Sequence, residues 1–273
     1  MAAFQHLSDY HLHCCFSSDS EASPESMIEQ AIRLGLSHIC FTDHNDYDYP
    51  PENGEILFQL DFENYIKKMT LLKEKYKNSL DIHIGVEQGL QPHLAENVNR
   101  YDAFHQLDFI IGSTHIVDGA DPYYETCWKD RSPKQSITGY FENIYKSICV
   151  CNNFDVYGHL DYIVRYAPGK DSEYDPLSYS DILDAILKKL IENGKGIEIN
   201  TAGIKYGLKE TNPCLAIIRR YRELGGEIIT TGSDAHKPEH MAYSFERIRP
   251  LLESSGFSYY TIFKERKPVF IRL

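Results

Sequence analysis

Seven short apolar runs recur along this 273-residue chain, and six of them end in an imidazole or a carboxylate. The first closes in His11-Leu12-His13. Side chains alternate along a strand, so these two histidines share a face. Asp19 lies in the loop that follows. The second run ends in Asp43-His44, the third at Glu87, the fourth at His115 in GSTH and the fifth at His159 in GHLD. The seventh ends in Ser233-Asp234-Ala235-His236, where Asp234 and His236 are again two apart. A single histidine near a strand end is usually a hydrogen-bonded structural residue. Six of the chain's 12 histidines at such ends call for another explanation. Imidazole mixed with carboxylate suits zinc, iron or manganese, whereas carboxylates alone suit magnesium or calcium. Nine such groups exceed what one ion of roughly four to six ligands can use. They suit two or three ions, with Glu87 as a candidate bridge through its two oxygens.

The elements between these ends are mostly helical. Ser23 and Pro24 give an N-cap and first helical position, followed by MIEQAIRLG up to the stop at Gly35. Amphipathic helices are expected over 61–77, 96–107, 134–152, 178–194, 212–226 and 238–256. The strands are expected over 6–12, 38–42, 82–87, 109–115, 154–161, 196–200 and 227–234, with one or two short strands after 259. Regular strand–helix alternation argues for parallel strands with crossover helices. No GxGxxG opens the first helix, which removes the best support for a dinucleotide-binding open sheet. A β/α barrel carries its chemistry at the C-terminal ends of its strands, where these groups lie. The expected fold is therefore α/β, a seven-stranded (β/α)7 barrel of the TIM type forming a single domain over 1–273.

The formal net charge of −12 and the lack of any Lys/Arg run longer than two count against a nucleic-acid partner. No stretch approaches the ~18 apolar residues of a transmembrane helix, and no membrane partner is expected. Seven cysteines behind an opening with no signal-peptide pattern suggest a reduced, cytoplasmic protein. His6, His38, His83, His93, His105 and His240 read as structural or surface histidines.

The ordered set HxH, Asp, TDH, Glu, GSTH, GHLD and SDAH resembles the polymerase and histidinol phosphatase (PHP) superfamily, above all its stand-alone histidinol-phosphate phosphatases. The resemblance covers His11 to His236. It implies a distorted seven-stranded barrel with a trinuclear centre of divalent ions, zinc, manganese or iron. The matching ligands are His11, His13, Asp19, His44, Glu87, His115, His159, Asp234 and His236; the family admits His or Asp at the Asp19 position. The implied activity is hydrolysis of a small phosphate ester, L-histidinol phosphate, by attack of water whose pKa the ions lower. Asp234 or His236 could protonate the leaving alkoxide. Arg165 resembles a basic residue near the phosphate, for which a planar guanidinium is suited. The loop after His115, with Asp118, Tyr124 and Trp128, is expected to act as a lid. Trp128, Tyr124, Tyr123 and Asp161 are candidates for binding the rest of the substrate. A DNA-editing nuclease, a metal-dependent amidohydrolase, a protein-tyrosine phosphatase and a non-catalytic metal-binding protein remain as other readings.

Overall fold

In a computed structural model, residues 7–52, 54–99 and 102–273 are described. His6, expected to open the first strand, lies outside them. The strands are β1 (Ser8–Leu12), β2 (His38–Phe41), β3 (His44–Asn45), β4 (Asp81–Gly89), β5 (Phe109–Ser113), β6 (Val156–Tyr157), β7 (Gly196–Asn200), β8 (Ile229–Gly232), β9 (Tyr259–Lys264) and β10 (Lys267–Arg272). The helices are α1 (Pro24–Leu34), α2 (Phe62–Tyr76), α3 (Ala95–Asn99), α4 (Pro133–Val150), α5 (Ser180–Glu192), α6 (Ala202–Lys205), α7 (Leu215–Glu223) and α8 (Ile248–Ser254). All neighbouring pairs in the order β1-β2-β4-β5-β6-β7-β8 are parallel, and β3 adds to β4. The seven strands form a nearly closed barrel with helices between them, as expected.

Closure falls at the seam between β1 and β8. One backbone bond crosses it there, from His13 N to the Ala235 carbonyl at 2.9 Å. Side chains do the rest. Thr231 Oγ1 donates to the Ser8 carbonyl, and buried Asp9 accepts from Ser233 N, Ser233 Oγ and Ala242 N. Gly232 permits the approach: a Cβ there would lie 2.3 Å from the Cβ of His11 and 2.4 Å from Glu198 Oε1.

Several helices follow their local signals. Ser23 accepts from Ser26 N, Gly35 ends α1 in a left-handed turn, and Ser132 with Gln135 forms a capping box on α4. Other expectations are corrected. The helix expected over 238–256 is broken into 3-10 turns at Pro238–His240 and Phe245–Arg247 and the α-helix α8; the left-handed Ala242 and Ser244 interrupt it, and Ala242 N is turned onto Asp9. The strand expected over 154–161 pairs only through Val156 and Tyr157, because His159 N leaves the ladder for Glu198 Oε2. Among the described residues, the helix expected over 96–107 is represented by α3 and a 3-10 turn at Asp102–Gln106. The short α6 and β3 were not expected.

The final strands form an antiparallel hairpin outside the barrel. It packs against the N-terminal end, where Tyr10 OH donates to the Phe263 carbonyl and the rings of Phe109 and Phe263 stack. Its two-residue turn places Glu265 and Arg266 at positive φ, which disfavours non-glycine residues. Asp108 holds them there. Its side chain accepts from Glu265 N, Ile84 N and Lys73 Nζ, and its carbonyl accepts from Arg266 N. Burial opposes the charge of Asp108, yet His83, Lys73 and the two amides hold its carboxyl well below the usual range. A depressed carboxylate stabilises the fold above its unfolded pKa, and that contribution is lost as the pH falls. Asp108→Asn is therefore expected to cost about 1–3 kcal/mol at pH 7. The gap from wild type should narrow below about pH 4. Urea titrations at both pH values check this, and a pH-independent gap would contradict it.

Candidate metal centre and cleft

Glu87 stands at the centre of the site, fully buried near the C-terminal end of β4. Its Oε1 lies 2.8 Å from His159 Nε2 and 3.2 Å from His115 Nε2. Its Oε2 lies 3.0 Å from His44 Nδ1, 3.2 Å from His11 Nε2 and 3.5 Å from His13 Nε2. Five imidazoles from separate parts of the barrel rim thus surround one carboxylate. Asp234 Oδ1 approaches His13 at 3.5 Å and His11 at 3.9 Å. On the outer side, Asp19 Oδ2 lies 3.0 Å from His236 Nε2 and 3.8 Å from His44 Nε2. All nine residues singled out in the sequence converge here.

The charges are mutually induced. Burial works against the charge of Glu87, but His11, His115 and His44 hold its carboxyl far below the ordinary range. Burial likewise opposes protonation of His11, which Glu198, Glu87 and Asp234 nevertheless raise well above normal. His13 goes the other way, lowered by burial and by His236 and His44.

Further residues, outside the nine singled out in the sequence, hold the imidazoles in place. Glu198 on β7 takes His11 Nδ1 at 2.6 Å, leaving Nε2 to face Glu87. Asp46 takes His115 Nδ1 at 2.8 Å with the same effect. Gly89 makes room for Asp46, since a Cβ there would sit 2.0 Å from Asp46 Oδ1. Asp43 accepts from Cys14 N and Ser17 Oγ, and so pins the loop after His13. A signal for two of these was present. Glu198 is a charged residue inside a buried parallel strand, and Asp46 stands two residues after His44, in alternation with it.

Arg165 is 3% exposed rather than solvated. It donates through Nε to Asn212 Oδ1, through Nη1 to Asp234 Oδ2 and through Nη2 to Asn200 Oδ1, at 2.7, 3.0 and 2.9 Å. The rings of Tyr162 and Tyr206 lie 5.1 and 5.3 Å from its guanidinium carbon. A cleft of about 90 Å³ opens above the cluster, lined by Asp19, His44, Glu87, His115, His159, Arg165, Asp234 and His236 together with Asp46, Asp121, Tyr49, Phe58, Tyr162, Tyr166 and Tyr206.

The loop after His115 reaches the cleft through Asp121 and not through the residues expected to form a lid. Val117 and Ala120 close a tight turn with Asp118 at positive φ, and Asp118 pairs outward with Arg131. Tyr124 and Trp128 do not line the cleft. Tyr124 is exposed and donates to Glu52, while Trp128 Nε1 donates to the Pro122 carbonyl. Tyr123 is exposed, and the carboxylate of buried Asp161 is taken by Asn212 Nδ2 and Cys214 N. Asp121 and the tyrosines from three other loops occupy the space instead.

The donor set fits metal ions. His11 Nε2, His13 Nε2, His44 Nδ1, Glu87 Oε2 and His236 Nε2 are buried without a hydrogen-bond partner. Buried polar atoms are rarely left so. Four triplets bring their ligand atoms within 4.8 Å of one another: His13, His44 and His236; His11, His13 and Asp234; His11, Glu87 and His159; and His44, Asp46 and His115.

The chain is similar to known proteins along most of its length. The chain is 31% identical over 253 residues to a histidinol-phosphatase of Lactococcus lactis subsp. lactis, covering 91% of each. It is 33% identical over 267 residues to a probable histidinol-phosphatase of Clostridium acetobutylicum, covering 96% of this chain and 95% of that one. The crystal structure of histidinol phosphate phosphatase from Lactococcus lactis subsp. lactis, complexed with zinc, L-histidinol and phosphate, superimposes with a TM-score of 0.86. Its identity is 27%, with 97% of this chain and 99% of that chain covered. Residues 9–202, which carry seven of the nine converging groups, match the PHP domain, and with relatives above 30% identity along nearly its whole length the chain belongs to the PHP domain family.

Proposed function

We propose that the protein is a metal-dependent phosphomonoesterase that hydrolyses L-histidinol phosphate to L-histidinol and phosphate. The carrying observation is the ring of imidazoles around Glu87, with inward-facing atoms that lack partners, beneath a cleft that also holds Arg165. The histidinol-phosphatase relatives support the choice of substrate. His11, His13, Asp19, His44, Glu87, His115, His159, Asp234 and His236 would hold three divalent ions, zinc, manganese or iron. When bound, such ions neutralise phosphoryl charge and lower the pKa of water towards neutrality.

The chain's own groups supply position. A guanidinium has five N–H donors, and Arg165 uses three on Asn212, Asp234 and Asn200. Two remain for phosphate oxygens, in a fork already fixed by burial, so little side-chain entropy is lost on binding. Asp234 shares one oxygen with Arg165 and turns the other to the imidazoles, which ties the phosphate position to the cluster. Asp234 and His236 line the cleft where the leaving alkoxide must gain its proton. No helix among the described residues is long and apolar enough to cross a membrane. The reading includes a cytoplasmic setting, which the seven free cysteines fit.

Phosphate release from L-histidinol phosphate is expected to be fast, lost after chelation and restored by manganese or zinc. It should also exceed release from generic phosphomonoesters. No release from any ester by the metallated protein would sink the reading. Glu198→Gln keeps the shape of the side chain but removes the charge behind His11. It is expected to lower metal affinity about 10- to 100-fold with the fold intact. Retention of metal equal to wild type during dialysis against a chelator would show that Glu198 has no such role.

A further inference from the structure

The cleft has a carboxylate that neither the metal cluster nor Arg165 explains. Asp121 lines it and is 7% exposed. Its Oδ2 accepts from Tyr49 OH at 3.0 Å and its Oδ1 from Tyr123 N at 2.8 Å. Both donors are neutral. Among the described residues no Lys, Arg or His nitrogen comes within ion-pair distance of it. The charge of His115 reaches Asp121 but is shared with Asp46, which takes its Nδ1, and with Glu87. A buried carboxylate with only neutral partners is costly, and a cation is the completion that offsets the cost. Its surroundings suit one. Tyr49 packs edge-on to Phe58 at 4.6 Å, and Tyr162 to Tyr166 at 5.2 Å. Aromatic rings attract cations as well as covering apolar carbon.

We propose that Asp121 is a specificity residue that receives a positively charged group of the substrate, so that the cleft selects phosphomonoesters whose alcohol carries a cation. The inference rests on the phosphatase reading above. Arg165 and the cluster hold the anionic end; Asp121, with the rings of Tyr49 and Phe58, receives the ammonium or imidazolium at the other. Neutral and anionic esters fit the first end but leave Asp121 buried and unpaired.

The test compares L-histidinol phosphate with n-propyl phosphate in the metallated wild type, Asp121→Asn and Tyr49→Phe. Asp121→Asn should lose about 10- to 100-fold in kcat/KM on histidinol phosphate, the worth of one charged hydrogen bond, mainly through KM. Its rate on propyl phosphate should stay within about twofold of wild type, and calorimetric binding of L-histidinol should weaken while that of inorganic phosphate does not. Tyr49→Phe, which loosens the loop but keeps the carboxylate, should retain the preference. Equal losses on both esters, or a Tyr49→Phe variant that mimics Asp121→Asn, would make Asp121 a loop anchor and overturn the inference. A wild-type preference that Asp121→Asn retains overturns it alone. A wild type with no preference for histidinol phosphate overturns the substrate reading and this inference with it.

Discussion

The burial of Glu87 constrains the rest of the molecule. A carboxylate withdrawn fully from water costs several kcal/mol unless positive charge surrounds it. Here the surrounding charge comes from imidazoles on β1, on β3 and after β5, while His159 after β6 adds a hydrogen bond. Each strand must therefore keep its register, because a slip of one residue turns a side chain to the opposite face. The pairing of His44 with Glu87 in the β3–β4 ladder makes this concrete. Register places the imidazoles, and the imidazoles in turn make the buried carboxylate tolerable. Divalent ions would take over the role of the protons, which couples metal binding to folding.

The same economy appears at the seam of the barrel. β1 carries His11 and His13, and β8 leads into Asp234 and His236, so the two edges that fail to form a full ladder bring four of the nine ligand candidates. Hydrogen bonds to Asp9 replace the missing ladder. Burial pushes the Asp9 carboxyl up to about 6, against the pull of Ser233 and Ala242. Gly232 lets the edges meet without displacing His11 or Glu198.

What was legible in the sequence follows from range. Alternation and strand-end position are local properties, so the nine converging residues and the helices with clear caps could be read directly. Glu198 and Asp46 obey the same alternation, but their part as props for imidazoles depends on which histidine each meets across the barrel. Elements decided by distant partners could not be read. Ala242 leaves its helix for Asp9, and His159 leaves its strand for Glu198. The aromatic lining was the hardest part. Tyr124 and Trp128 lie near His115 in sequence, yet a tight turn at Asp118 carries them away. Tyr49, Phe58 and Tyr206 come from loops whose placement is set by packing across the cleft.

The two ends of the cleft therefore differ in how they are held. The phosphate end is built on strands and buried bonds; Asn200 on β7 and Asn212 fix Arg165, and Arg165 fixes Asp234. Rigid positioning of this kind is what catalysis needs, since small errors in the placement of reacting groups cost large factors in rate. The other end hangs on three loops carrying Tyr49, Asp121 and Tyr166, joined by the Tyr49–Asp121 and Tyr124–Glu52 hydrogen bonds and by the contact of the Tyr123 and Tyr166 rings. Substitutions there can reshape what the alcohol must look like without moving Glu87 or its imidazoles. The barrel thus separates the chemistry, which depends on register, from the choice of substrate, which depends on loops, and Arg165 is the residue at which the two meet.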